Sequence, residues 1–544
     1  MKNLWVEKTK YGRMGKRAAA LLAVMIMVLN CGVISAWGCT GVYIGKDASV
    51  DGSVILARSN DTQGVLPNYI DITERVENVP GRTLPVDIAK TVWADLPATT
   101  YRYTSTPFMD SAKVEKVFGR DVAAVSNEYG VIMTMSVTAF TNKKAMDSDP
   151  WVENGISEDT ATELVICQSK TAREAVKVLM ALIDKYGSAE TNIALIADQK
   201  EAWYVEMYNG HQYAAVKLPD DQVSVFGNEF SLEYLSDYDE SITSKDLESL
   251  AKKNGFAEYG KNKELNLFDT YAGPSVKTDY AHRRTWIGHQ LLSSKYSADY
   301  DLKDDYPLCF KPDKKVSLEN VFSLMRNRYE GTRYAPDDTG RTDMRVIGTD
   351  TSMSVHVLQV YPELPTEMSC VTWECVGPAP YGVFVPISNA ALSVSDSYAK
   401  NQPYSENGTF DDVNYPYYTF KEINTLCVEK ATCKVYGAPV KAYWEKAEEG
   451  MVSGMGKVLS KAAKCEDKDE AAQILTDYCN KQQELAFADA RHVLNDVRWY
   501  MSYNCNTMKN GRNPETDEVY DTLVEIDPLD LSKDKNLNVT AYGR

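Results

Sequence analysis

The chain has 544 residues, 44% of them hydrophobic and 25% charged, which is too apolar for a disordered protein and ordinary for a globular one. Lys and Arg total 59 against 77 Asp and Glu, and the net charge of −18 argues against nucleic-acid binding, which needs a basic surface. With five His (211, 282, 289, 356 and 492), no HExxH and no Gly-rich phosphate loop, the sequence offers no pattern for a metal or a cofactor, and none is expected.

Residues 1–17 carry Lys2, Lys8, Lys10, Arg13, Lys16 and Arg17 against a single acid, Glu7. An apolar run from Ala18 to Leu29 follows, and a less hydrophobic stretch ends in Ala36-Trp37-Gly38. This is the order of a secretory signal, with small residues at −3 and −1 of a cut after Gly38. A retained membrane anchor is the alternative, although about a dozen apolar residues is short for a span. The segment 1–38 is therefore expected to be a signal peptide. The mature chain would be exported to the periplasm, the cell surface or the medium, without stable insertion in the membrane. Cleavage removes a net +5, leaves −18 − 5 = −23, and makes Cys39 the first residue.

A terminal cysteine has three readings. Lipidation usually wants Leu at −3, where this chain has Ala36; Cys31, preceded by Asn30, is no better placed. A half-cystine would suit an oxidising compartment. A catalytic thiol could use its own α-amine as base, because that amine has a reference pKa of about 7.7–8.0, close to working pH.

The next elements bear on that choice. Cys39 to Gly45 alternates as a strand, residues 46–52 (KDASVDG) supply turn chemistry, and Ser53 to Ala57 reads as the return strand, ending in Arg58-Ser59-Asn60-Asp61. Such a hairpin brings Arg58 and Asp61 beside Cys39. A guanidinium there favours the thiolate, and a carboxylate could orient the amine. Residues 122–127 and 131–138 read as a hairpin turning at Asn127 to Gly130. Thr171 with Glu174 forms a capping-box pattern before a helix whose apolar face is Val176, Leu179, Leu182 and Ile183 and which stops at Gly187. Strands follow at 191–197, 202–208 and 211–217, the last two joined at Asn209-Gly210. Past about residue 395 a loop rich in Tyr, Asn, Ser and Asp precedes helical patterns at 440–459 and 467–503, and the residues from Pro528 read as a surface tail. Pattern alone gives an α+β fold with antiparallel sheets.

The segments C-T-G…D-G-S-V-I-L-A-R-S-N-D (39–61), Asn127-Glu128-Tyr129-Gly130, Thr171-Ala172-Arg173-Glu174-Ala175, Ala202-Trp203, Gly227-Asn228-Glu229, Arg284-Thr285-Trp286 and Tyr329-Glu330-Gly331-Thr332 occur in one order across roughly residues 39–390. Together they resemble the bacterial secreted cysteine dipeptidases of the N-terminal-nucleophile (Ntn) hydrolases, related to penicillin V acylases and bile salt hydrolases. The resemblance implies an αββα four-layer sandwich over 39–395, with 396–544 as a helical extension packed on it. It implies a secreted dipeptidase acting on dipeptides without cofactor or metal. Cys39 would be the nucleophile, Arg58 and Asp61 would tune the thiol and hold the amine, and Asn127 and Asn228 would donate to the oxyanion. Arg284 would be a late active-site arginine, with Arg283 beside it as competitor. An acylase on non-peptide amides and a non-catalytic surface lipoprotein remain as alternatives, and homo-oligomerisation stays open. Cys370/Cys375, Cys427/Cys433 and Cys465/Cys479 are close enough in sequence to pair, but spacing sets no connectivity.

Overall fold

The computed structural model describes residues 38–61, 67–87, 89–108, 122–135, 137–341, 343–399, 414–430, 432–503 and 527–544. The signal-like leader up to Trp37 and most of the Tyr-rich loop after Asp396 lie outside the described residues.

Two antiparallel sheets form the centre, and their strands are numbered here in chain order. They are β1 (Gly41–Ile44), β2 (Val54–Asp61), β3 (Asp71–Thr73), β4 (Tyr103–Pro107), β5 (Val122–Asn127), β6 (Ile132–Met135), β7 (Asn192–Ala197), β8 (Ala202–Met207), β9 (Tyr213–Lys217), β10 (Val223–Phe226), β11 (Ser241–Thr243), β12 (Ser352–Val360), β13 (Cys370–Val376) and β14 (Val385–Ser388). The first sheet has the order β10-β1-β2-β12-β13-β14, and the second β11-β9-β8-β7-β6-β5-β4-β3. Seven helices matter for packing: α1 (Glu158–Ile166), α2 (Ala172–Tyr186), α3 (Asp279–Leu292), α4 (Leu318–Met325), α5 (Pro416–Cys427), α6 (Ala438–Ala462) and α7 (Lys468–Tyr503).

Alternation along the strands divides their side chains between layers. On β2, Val54 and Leu56 point into an apolar cluster between the sheets with Tyr43, Leu358, Ile193, Leu195 and Tyr204. Ile55 and Ala57 point the other way, into a cluster with α4 and the C-terminal helices. A third cluster joins Val125, Met133, Ile196 and Trp203 to the apolar faces of α1 and α2. Three interlayer cores define four layers, helix–sheet–sheet–helix, and the expected αββα sandwich is the fold.

The predicted hairpins are present. β1 pairs with β2 in the register Gly41↔Arg58, and β2 runs on to Asp61, four residues past the predicted end, because β12 pairs along it as far as Ser352↔Asp61. The turn at 46–52 closes with Gly52 at φ +77°, and the Asp51 carboxylate accepts from the Ser53 amide. Thr171 caps α2 by accepting the Glu174 N–H at 3.1 Å, while the Glu174 carboxylate reaches back to the N–H of Lys170. Only the first half of the capping box is therefore made as expected.

α5, α6 and α7 cover the outer face of the first sheet near β13 and β14, and a buried ion pair between Arg326, at the end of α4, and Glu448 of α6 ties the two regions together. The segment from Pro528 is not the surface tail expected from its sequence. Leu529, Leu531 and Tyr542 are buried, the Tyr542 hydroxyl donates to Asp489, and the backbones are so close that a Cβ on Gly543 would stand 2.0 Å from Gly450 O and one on Gly454 2.5 Å from the Gly543 Cα. Apolar residues spaced through a polar segment dock it on α6 and α7. The nine cysteines in the described residues are all free. Cys370 and Cys375 lie on one strand with opposite orientation, Cys370 in the inter-sheet cluster and Cys375 in the outer one, which excludes that pairing.

Candidate active site

The inter-sheet layer changes character along β2 and β12. Beyond Leu56 and Leu358, the inward positions become Arg58, Asn60, His356 and Ser354, all buried. Arg58, His356 and Glu374 sit side by side across three strands in the registers Arg58↔His356 and His356↔Glu374. The His356 Nε2 lies 2.7 Å from the Thr134 hydroxyl, which itself donates to Ala123 O, so Nε2 carries the proton. Burial, then the Arg58 charge, holds the imidazole well below its ordinary pKa, and it is neutral. Burial pushes the Glu374 carboxyl well above its usual range.

Cys39 leads into β1 and is buried, and Arg58 Nη2 donates to its sulfur at 3.2 Å while Nη1 donates to Met135 O at 2.6 Å. The guanidinium is thereby clamped between the thiol and a carbonyl of the opposite sheet. Burial raises the thiol pKa, Arg58 opposes it, and the Asp61 charge adds to the rise. The net direction is upward, so Arg58 does not by itself make a thiolate here. The reason is that Cys39 is sealed from water.

The Cys39 N–H donates to Asn228 Oδ1 at 3.1 Å, and Asn228 Nδ2 donates to Thr138 O at 2.7 Å. Arg284 Nη2 donates to the same Oδ1 at 2.5 Å, and its Nη1 reaches Cys39 O at 2.6 Å and the Thr40 hydroxyl at 3.1 Å. Asn228 follows β10, the strand paired with β1, which is why a residue 189 positions away meets the Cys39 nitrogen. Arg284 reaches the site from α3, and the choice between the adjacent arginines is decided by helix geometry, since consecutive residues diverge by about 100°. Arg283 turns away to lie over Tyr300 and Tyr334, 4.9 and 4.7 Å from the ring centroids.

Asp61 stands at the end of β2. Its carboxylate accepts from the hydroxyls of Ser59 and Ser352 and pairs with Arg345, and its backbone carbonyl accepts the Gly38 N–H at 3.0 Å. It does not contact the Cys39 nitrogen, which Asn228 holds instead.

Asn127 requires a correction. Its Nδ2 donates to Ile166 O at 3.0 Å and Ser169 O at 2.7 Å, and its Oδ1 accepts the N–H groups of Tyr129 and Val131, both at 3.0 Å. Both amide hydrogens and the carbonyl oxygen are occupied in fastening the β5–β6 turn to the end of α1. No donor remains for an oxyanion, and Asn127 is a turn residue.

Three site residues carry no local sequence signal. Arg345 pairs with Asp61 and donates to Gly38 O at 2.6 Å, Ser352 completes the Asp61 cage, and the Tyr280 ring lies beneath the guanidiniums of Arg284 and Arg345 at 5.2 and 5.5 Å. Among the described residues, no group of three or more His, Cys, Asp or Glu could hold a metal ion.

A thiol with a guanidinium at its sulfur, beside an amide nitrogen held by an Asn–Arg pair, is equipped for nucleophilic attack once that nitrogen becomes an amine. The profile of peptidase family C69 matches residues 38–446. Probable dipeptidase B of Streptococcus pyogenes serotype M1 is 30% identical over 410 residues, which is 72% of this chain and 78% of that protein. Probable dipeptidase B of Lactococcus lactis subsp. lactis is 32% identical over 369 residues, 66% of this chain and 76% of its own. The probable dipeptidase of Latilactobacillus sakei is 28% identical over 381 residues, or 66% and 76%. Among solved structures, a mutant of the conjugated bile acid hydrolase from Clostridium perfringens aligns at a TM-score of 0.31 with 12% identity, covering 64% of this chain and 92% of that one.

Proposed function

We propose, from the premise that the chain belongs to peptidase family C69, that it is a cysteine-type dipeptidase whose nucleophile and base are the sulfur and the α-amine of Cys39. The observation that carries the reading is the pair of contacts at Cys39: Arg58 on the sulfur and Asn228 on the nitrogen.

In the mature enzyme the Cys39 α-amine takes the thiol proton and becomes an ammonium, the sulfur adds to the carbonyl carbon of the dipeptide, and the carbonyl π electrons move to oxygen. Collapse of this adduct expels the second residue as an amine, which takes its proton from the Cys39 α-ammonium and leaves a thioester. Water then adds to the thioester and gives its proton to the now neutral amine. The second collapse returns the thiol and releases the first residue as a carboxylic acid. Arg58 holds the sulfur, Asn228 holds the nitrogen, Arg284 holds Asn228 and the Cys39 carbonyl, and Asp61 braces the strand end through Arg345.

The reading requires Cys39 to become the first residue. The basic, apolar and small-residue order of 1–38 supports removal of that segment on export as a signal peptide. Among the described residues no helix is long and apolar enough to cross a membrane. The chain is then organised as a leader (1–38), a catalytic core (39–395) and a helical extension (396–544) whose helices share their core with the first sheet.

The test is a panel of dipeptides set beside glycine- and taurine-conjugated acyl substrates. Turnover of dipeptides without cleavage of the conjugates supports the reading. Cleavage of conjugates alone would turn it into an acylase.

A further inference from the structure

With Asn127 committed to its turn, the oxyanion of the reaction loses one of the two donors expected for it, and the other, Asn228, already donates from Nδ2 to Thr138 O and accepts the Cys39 N–H at Oδ1. Gly38 shows where another donor lies. Its carbonyl carbon is the one that the Cys39 sulfur could reach by closing a five-membered ring through the Cys39 backbone, so its oxygen marks where a carbonyl under attack at this sulfur would direct its charge. That oxygen accepts from Arg345 Nη2 at 2.6 Å, and the Gly38 N–H donates to Asp61 O at 3.0 Å. The slot is closely fitted: a Cβ on Gly38 would stand 2.4 Å from the Tyr280 hydroxyl and 3.0 Å from Asn228 Oδ1.

Arg345 is 7% exposed, and its Nε and Nη1, like the Tyr280 hydroxyl, are buried with no hydrogen-bond partner among the described residues. Unmatched buried donors are costly unless something accepts from them. The Tyr280 hydroxyl lies against Gly38, in a slot that opens when residues up to Gly38 leave, and a carbonyl oxygen acquiring negative charge is an acceptor that it and the neighbouring Arg345 Nη2 fit. Charge-assisted donation from a fixed guanidinium in a dry site is an effective form of oxyanion stabilisation. Arg345 is itself held by Asp61, whose carboxylate is fixed by Ser59 and Ser352, so the donor is in place before substrate arrives.

We propose that Arg345 is a catalytic residue, the oxyanion donor of the reaction, and that Gly38 in the uncut chain occupies the subsite for the α-aminoacyl residue of the dipeptide. This inference rests on the dipeptidase reading above. In the subsite the substrate's carbonyl oxygen replaces Gly38 O on Arg345, and its α-ammonium takes the place of the Gly38 N–H against Asp61 O.

The experiment compares wild type with Arg345→Lys, each produced with an initiator Met directly before Cys39, so that host removal of Met exposes the thiol whatever Arg345 does. Lysine keeps a cation for Asp61 but loses the planar fork. The expected result is an approximately 100-fold lower kcat with KM within about threefold, and an equal loss of affinity for a dipeptide aldehyde, whose adduct carries the oxyanion. Alkylation of Cys39 by iodoacetamide should keep its wild-type rate, which also shows that the site has folded. A kcat within threefold of wild type, or alkylation that falls in step with kcat, would overturn the assignment. If wild type turns over no dipeptide, the functional reading itself fails; if wild type is active and the Lys variant equally so, only Arg345 is lost.

Discussion

The two ends of the layer between the sheets differ in what they bury. At one end Val54, Leu56, Leu358 and Val360 interlock with apolar residues of the second sheet; at the other, beginning two residues further along the same strands, Arg58, Asn60, His356 and Ser354 stand under the same near-complete burial. Apolar burial stabilises the sandwich without any specific partner, whereas each polar group must find a bond or lose its charge. The polar end is therefore held by particular contacts: Arg58 to Met135 O, Asp61 to Arg345, and a neutral His356 against Thr134. One pair of strands thus supplies stability at one end and chemistry at the other.

The contrast is broken most severely at the sulfur. Cys39→Ala should lower dipeptide turnover by at least about a thousandfold while leaving the thermal midpoint within about 2 °C, because the side chain removed is small and its thiol holds little of the fold together. Stopped assays with circular-dichroism melts measure both quantities. At the apolar end the signature reverses. Leu56→Ala should cost about 2–5 kcal/mol in denaturant unfolding, with kcat per folded molecule unchanged. If Leu56→Ala instead abolished kcat in folded protein, the two ends would not be separable.

Asn127→Ala sharpens the contrast at a position that sequence reasoning placed on the wrong side. The substitution should destabilise by about 1–3 kcal/mol through the carbonyls of Ile166 and Ser169 left unmatched, and kcat should hold. A turnover rate reduced by about two orders of magnitude with stability intact would restore the oxyanion role to Asn127 and undo the turn assignment.

The smallest effect is with pH. His356 is neutral when folded and titrates well below its ordinary value, whereas in the unfolded chain it takes a proton near about pH 6.5. Below that pH the unfolded state binds more protons, so stability falls as pH drops through and below about 6.5. His356→Gln should flatten this limb of a stability–pH curve by up to one proton's slope. An unchanged limb would mean that His356 is not buried neutral.

Much of this was legible in the sequence where residues act locally. The Cys39–Asp61 hairpin was readable because strand alternation and the Asp51-Gly52 turn lie within one short segment, and the helices at 172–186, 438–462 and 468–503 were readable from their apolar spacing. Asn228 and Arg284 came only from family resemblance, since their meeting with Cys39 depends on the β1–β10 pairing and on α3. Arg345 and Ser352 were not readable at all, because they meet Asp61 across 284 and 291 residues, Ser352 through the register of β2 with β12 and Arg345 from the segment before β12. Asn127 misled because asparagine suits both a tight turn and an oxyanion hole, and only the partners of its amide separate the two. The docked segment from Pro528 misled because its apolar residues are isolated in a polar stretch and find their partners only on folded α6 and α7.

The central claim is that sulfur and α-amine belong to one residue and act together. Mass spectrometry of the working enzyme, quenched during turnover of a slowly hydrolysed dipeptide derivative and digested, tests it most directly. The expected first peptide begins at Cys39, with a free amino group and an acyl group in thioester linkage to its sulfur. An active enzyme in which residue 39 remains joined to Gly38, or carries a lipid, or bears no acyl group while another side chain does, would contradict it.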